Sequence, residues 1–262
     1  MIRPPRPADW LLLFSLVAMW GSAFMLAELA LGSFEPLAIT TLRIVMGAIV
    51  LMLLLAATGR RFPRRPDVWA YLVLMAILGN CLPFFLITWG QVEVPSGLAG
   101  ILMGVMPLVV VVLAHFSVPG ERLSPARVFG FLLGFAGLVV LFGGDLVARG
   151  GDESALLAKL AILGGAVCYG VNVIVARLQP EKDALTASAG VMLVASVLML
   201  SVSFALDTDL LPAQASAGAI AALVLLGLMS TGLATFVYFL IIARAGPSFL
   251  RKLLTCISML RS

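Results

Sequence analysis

Arg43 sits seven residues into an apolar run that extends from Pro36 to Ala57. If that run is a membrane helix, the rise of 1.5 Å per residue puts the guanidinium about 10 Å below the nearer surface. A guanidinium stays protonated, and a charge near mid-membrane costs ~2.5–3.5 kcal/mol on insertion scales, so Arg43 must face protein or water. Two roles fit. It lines a cavity as a cation that attracts anionic or zwitterionic solutes, or it snorkels outward and ties helix ends together through carbonyls. Trp20, Asn80, Trp89, Tyr169, Asn172 and Tyr238 are further polar or aromatic residues inside apolar runs. Rings suit the apolar body of an amphipathic solute and amides orient it, so the seven residues together form a candidate solute-binding set. For the aromatics the structural alternative is interfacial anchoring, which suits Trp89 best. Asn80 and Asn172 are harder to place on the outside, because a lipid-facing amide would be left unsatisfied.

Other reactive residues point away from catalysis. His115 is the one histidine, at the end of an apolar run, and no partner for a proton relay lies near it in sequence. Glu28 is the one acid well inside an apolar run, and Glu121 belongs to a polar turn where it caps a helix or pairs with Arg122 or Arg127. Cys81, Cys168 and Cys256 have no metal-type spacing and read as small buried hydrophobes. No catalytic set, metal site or cofactor is expected. Pro83 and Pro107 interrupt apolar runs, removing a backbone donor and opening kinks that serve either as hinges or as static shape. Gly100-Gly104 and Gly130-Gly134 have the spacing that lets helices approach closely.

The elements that must position these residues follow from composition. Of 262 residues, 62% are hydrophobic and only 11% charged, so lipid must be the solvent for much of the surface. The expected fold is all-α: a polytopic membrane helix bundle with about eight full spans, at 10–31, 36–57, 68–90, 94–116, 126–144, 156–177, 185–206 and 217–243. The run after "MIRPPRPADW" is too long for a signal-peptide core and is taken as a retained first span. Alternate connections hold thirteen Lys and Arg on one side, against Arg149 and Lys159 on the other. The basic side is therefore expected in the cytoplasm, with the N-terminus. This distribution, confined to short connections, gives the +4 formal charge no nucleic-acid meaning.

Internal similarity supplies the architecture. Trp20-Gly21 returns as Tyr169-Gly170 at an offset of 149, "LVLMAILGNCLPFF" (72–85) as "LVLLGLMSTGLATF" (223–236) at 151, and "PSGL" (95–98) as "PSFL" (247–250) at 152. Five spans per copy is an odd number, so the second copy enters the membrane from the opposite side, as an inverted repeat. The expected units are residues 1–144 and residues 156–262.

"WGSAFMLAELAL" (20–31), "LRIVMGAIVL" (42–51), "PSGLAGILMGVMPLVVVVLAHF" (95–116) and "GERLSPARVFGFLLGFAGLVVLFG" (120–143) resemble the EamA half of the drug/metabolite transporter superfamily. Pro107 and the Gly-Glu-Arg-Leu-Ser turn at 120–124 are the most specific parts of that resemblance, which covers nearly the whole first unit and spans six to eight more loosely. The resemblance implies two inverted five-helix repeats with both termini cytoplasmic. It also implies export or exchange of small organic solutes such as amino acids, metabolites and drugs. The expected protein is then a secondary transporter in the inner (plasma) membrane working by alternating access, not an enzyme. Its partners are a small-molecule solute and the lipid bilayer, and either a monomer or a homodimer is compatible with the sequence. The rival readings are an intramembrane enzyme acting on lipid-linked substrates, which lacks clustered acids and histidines, and a non-functional remnant. The tail "AGPSFLRKLLTCISMLRS" (245–262) favours the latter for this chain: Arg251 and Lys252 stand where a ninth span should stay apolar. It reads as a second repeat cut short by its last two helices, expected to transport poorly, with a basic surface helix as the alternative.

Overall fold

The computed structural model describes residues 7–117, 153–181 and 183–237, together with helical positions 130, 133, 134, 136, 137 and 140. The described residues form helices and connections, with no strand among them. In chain order these are α1 (Pro7–Leu31), α2 (Pro36–Ala57), α3 (Pro66–Ala76), α4 (Leu82–Gly90), α5 (Ser96–Leu102), α6 (Met106–Ser117), α7 (Glu153–Leu178), α8 (Ala184–Ala205) and α9 (Ala217–Leu225). Six helical stretches are long and apolar enough to cross a bilayer: Trp10–Leu31, Pro36–Ala57, Pro66–Gly90, Glu153–Ala176, Ala184–Ala205 and Ala217–Val237. The expected span at 94–116 corresponds to α5 and α6, and most of the expected span at 126–144 lies outside the described residues, as does the tail from 238.

Local chemistry explains the helix ends. Pro36 and Pro66 open α2 and α3 at positions where a missing N–H has no intrahelical partner to lose. Gly59 closes α2 at φ 66°, in the left-handed region that spares a residue without Cβ. The Ser216 hydroxyl accepts the Ala219 N–H and opens α9.

Three helical stretches are irregular. α3 and α4 are one continuous rod joined by a π-helical turn, Ile77–Cys81. Pro83 has no N–H to give the carbonyl of Gly79, four residues back, and its ring crowds that oxygen; a wider turn accommodates both. Pro107 likewise has no N–H to give the Met103 carbonyl, which accepts the Met106 N–H instead, and Met103–Val105 is a 3-10 turn between α5 and α6. A second π segment, Leu226–Leu233, follows α9 with no proline near it. There the Thr231 hydroxyl bonds the Leu226 carbonyl, five residues back, at 3.1 Å. Shifted by the 151-residue offset, Ile77–Cys81 falls at 228–232, inside this segment.

Contacts between connections define two ends of the bundle. At one, Arg60 donates to Asp183 across the α2–α3 and α7–α8 connections. At the other, the Ser216 N–H donates to the Ser33 hydroxyl at 3.2 Å, and the Ser96 N–H donates to the Glu28 carboxylate at 3.1 Å. Glu28 thus receives a donor that α5 cannot satisfy internally. The first end carries Arg60, Arg61, Arg64 and Arg65, the second Glu28, Glu35, Glu93, Asp207 and Asp209. Spatially, the helices α7, α8 and α9 run opposite to α1, α2 and the α3–α4 rod, respectively.

The layers between these ends are stitched by small residues and hydroxyls. α2 packs against α8, where Thr41 and Ser203 share a buried hydroxyl bond of 2.7 Å. α4 packs against α7, where a Cβ on Gly90 would lie 2.6 Å from the Ala158 carbonyl oxygen. At the expected glycine pairs, a Cβ on Gly134 would lie 3.2 Å from Leu108, whereas a Cβ on Gly104 or Gly130 would meet no described atom of another element within 4 Å.

Asp183 is the helix cap at the basic end. Its carboxylate accepts the Thr186 N–H at 3.1 Å and the Thr186 hydroxyl, and Arg60 reaches it from the facing connection. Partial burial pushes its carboxyl up, but the Thr186 bonds and Arg60 together outweigh this and hold it below the ordinary value. A carboxyl depressed in the folded state contributes stability above its unfolded value of about 3.9 and loses it as pH falls through the folded one. Asp183→Asn, which keeps an acceptor for the cap but no charge, should therefore melt below the parent at neutral pH and converge with it in acid. Asp183→Ala should cost about 1 kcal/mol at neutral pH. Thermal melts from pH 3 to 7 check both, and a gap between the Asp183→Asn and parent chains that stays constant across that range would remove Asp183 from the pH response.

Candidate solute site

The two π segments bring their polar residues toward α2 and α7. Arg43, from α2, is 8% exposed, and its Nε donates to the Thr231 hydroxyl at 3.3 Å in the second π segment. Its guanidinium carbon lies 3.8 Å from the centre of the Phe84 ring, which α4 supplies just beyond the first π turn. Phe84 in turn meets Tyr169 of α7 edge-on, ring centres 6.3 Å apart. The site is thus a column: hydroxyl, guanidinium, aromatic face, aromatic edge. A desolvated cation over a ring gains about 2 kcal/mol, and the edge-to-face ring pair adds ~0.5–1.5 kcal/mol.

Asn172 lies three residues after Tyr169 on the same face of α7. A Cβ on Gly79 would come 2.5 Å from the Asn172 Nδ2, so the amide packs on bare backbone beside the buried Asn80. Its Oδ1 is buried without a hydrogen-bond partner among the described residues, as are the hydroxyls of Thr88 and Ser230. Among the described residues no carboxylate forms an ion pair with Arg43, and residues 238–262 contain no Asp or Glu.

The structure therefore gathers Arg43, Asn80, Tyr169 and Asn172 around the two π segments. Trp20 packs beside a separate apolar cluster that includes Leu16, Met19, Ala234 and Val237. Trp89 is 42% exposed near the end of α4. Tyr238 lies outside the described residues. Pro83 is buried directly before Phe84, and Pro107 is the second residue of α6, after the 3-10 turn.

Phe84 and Thr231 are the members that residue-type reasoning passes over. Thr231 had a signal: in 223–236 it occupies the place that Asn80 holds in 72–85. Phe84 follows Asn80 by four residues, one helical turn away.

Helices that cross a bilayer around a buried cation, rings and amides define a multi-pass integral membrane protein of the transporter class. Residues 9–143, just over half of the chain, match the EamA-like transporter family, and the chain belongs to that family. It is similar to the uncharacterized transporter YoaV of Bacillus subtilis strain 168, 26% identical over 228 residues, which cover 87% of this chain and 77% of that one. It is also similar to the aromatic amino acid exporter YddG of Ancylobacter novellus, 29% identical over 176 residues, covering 66% of this chain and 59% of that protein. A solved crystal structure superposes with a TM-score of 0.64 at 26% identity, covering 92% of this chain and 80% of its own. The protein is a membrane transporter, and its partners are small solutes and the bilayer.

Proposed function

We propose that the chain is a secondary transporter moving small organic solutes, of the amino-acid or metabolite kind, outward across the inner membrane by alternating access. The observation that carries this reading is the Arg43–Phe84–Tyr169 column, buried between two irregular helical segments in a family of transporters. Irregular backbone inside a membrane is stable where protein or a cavity satisfies it, and transporters place their binding sites at such breaks. The opposed helix directions and the two π segments at matching offset support an inverted repeat, with 1–144 and 156–262 as its units. Basic residues at the end that bears Arg60 support a cytoplasmic placement of that end and of the N-terminus. The similarity to an aromatic amino acid exporter supports a solute with an apolar body.

Arg43, Asn80, Tyr169 and Asn172, with Phe84 and Thr231, contact the solute or hold the groups that do. Trp89 serves nearer an end of the path, Trp20 and Tyr238 are further candidates for lining it, and Pro83 and Pro107 lie beside its hinges. Reconstitution tests the reading. Purified chain in proteoliposomes should carry radiolabelled amino acids down their gradient, and Tyr169→Ala should reduce that flux at least tenfold without lowering expression. A cysteine at Gly150 should react with an impermeant reagent added outside cells. No flux for any solute would reject transport by this chain, and labelling only after permeabilisation would reject the orientation.

A further inference from the structure

The Arg43 side chain is a buried cation with its supports in place and its counter-charge missing from the described residues. Nε is committed to Thr231, and one face of the guanidinium lies on Phe84. These two contacts leave the terminal nitrogens, the pair of the fork that matches a carboxylate bidentately. The acids of the described chain stand elsewhere: Glu28 receives the Ser96 N–H, Asp67 pairs with Arg65, and Asp183 pairs with Arg60. A structural arginine in a membrane is usually neutralised by an acid or spread over several carbonyls. Arg43 makes one hydrogen bond among the described residues, to a hydroxyl.

The rest of the site narrows the ligand. One guanidinium balances one negative charge, so a monoanionic group fits and a dianion leaves an excess charge in low dielectric. The Asn172 Oδ1, buried and without a partner among the described residues, complements an N–H donor. The rings of Phe84 and Tyr169 between them complement an apolar body.

We propose that this site takes a small amphipathic monocarboxylate bearing an N–H donor, whose carboxylate is received by Arg43, with Phe84 and Thr231 as positioning residues that fix the guanidinium. The proposal rests on the transport reading above and assigns the ligand's chemistry at that same site. Thr231 does this from a π register that its own hydroxyl reinforces through the Leu226 carbonyl. Without that hydroxyl, Nε loses its acceptor and the fork is free to turn. Without the Phe84 ring, the guanidinium loses the surface against which it lies flat.

Binding to the full chain in detergent, by calorimetry and by ligand-induced rise in melting temperature, tests this with two matched pairs of probes. These are L-phenylalanine and L-valine, each beside its carboxamide, which keeps size and the N–H donor while removing the negative charge. At least one acid should bind tenfold or more tightly than its amide. Arg43→Gln should abolish the difference. Thr231→Val and Phe84→Leu should each shrink it several-fold, while Thr231→Ser and Phe84→Tyr, which keep hydroxyl and ring, should restore it. A purely structural Arg43 would lower the stability of every variant without altering the acid-to-amide ratio. Acid and amide binding within twofold of each other in the parent chain overturns the proposal, and so does binding of none of the four probes. If Arg43→Gln fails to fold, the Thr231→Val and Thr231→Ser pair decides: equal ratios in both overturn it. Carboxylate preference without flux in proteoliposomes would reject the transport reading and leave this assignment standing.

Discussion

Asn172→Leu is expected to stabilise the protein slightly and to cut solute flux at least tenfold. The two effects share one cause. The Oδ1 of Asn172 is buried with no hydrogen-bond partner among the described residues, while its amide fills the place that a Cβ on Gly79 would take. An unsatisfied buried acceptor carries a penalty of about 1–3 kcal/mol, and leucine has nearly the shape of asparagine without that atom. Stability should therefore rise by something on the order of 1 kcal/mol, less any repacking against Gly79. A solute that relied on this acceptor loses a hydrogen bond in a dry site, worth about tenfold or more in affinity. Thermal melts in detergent and flux in proteoliposomes, measured on one preparation, check both signs. A destabilised variant with normal flux would make Asn172 a helix-packing residue and remove it from the solute path.

The largest loss of stability is expected from Gly90→Ala, where α4 crosses α7. A Cβ there would lie 2.6 Å from the carbonyl oxygen of Ala158 and 2.6 Å from Cγ1 of Ile162. Ile162 can rotate part of the way out. The carbonyl belongs to the backbone of α7 and cannot, so the two helices must separate. Overpacking of this kind costs about 1–3 kcal/mol, and in lipid the lost close approach is itself much of what holds helices together. Because α4 carries Phe84 and α7 carries Tyr169, flux should fall with stability. Gly21→Ala is the control: a Cβ there has no described atom within 4 Å, and alanine gains about 0.5–1 kcal/mol of helix preference over glycine. A Gly90→Ala chain that melts with the Gly21→Ala chain would show that the crossing has more room than the contact distance implies.

Much of the frame was legible because membrane helices announce themselves by length and apolarity, and the six described spans fall where the runs of apolar residues placed them. Arg43, Asn80 and Asn172 were legible for a related reason: charge and amide are expensive in lipid, so their presence alone argues for an interior position. Aromatic residues carry no such argument. Trp89 and Tyr169 look alike in sequence, yet one is exposed near a helix end and the other meets Phe84 inside the bundle. Phe84 was invisible because phenylalanine is at home in lipid on any face. Its role depends on what faces it, Arg43 from a helix more than forty residues earlier in the chain. Pro83 and Pro107 announced interruptions, but their type was not readable: one stands beside a π turn, the other beside a 3-10 turn. The π segment at Leu226–Leu233 has no proline to flag it, and only the repeat offset pointed there.

The π turn at Ile77–Cys81 also sets the rotational phase of everything that follows it. A π turn absorbs one residue more than an α-helical path of the same course, and one residue of α-helix is about 100° of rotation. Removing a single residue between 77 and 81 would therefore leave a regular α-helix of the same course with Phe84 still facing Arg43, whereas a residue removed elsewhere before Phe84 in this span would turn it by about 100°. Among relatives, a one-residue gap in this stretch is thus the length change that the span can absorb. It marks a chain that gives up the widened turn and keeps the ring over the cation.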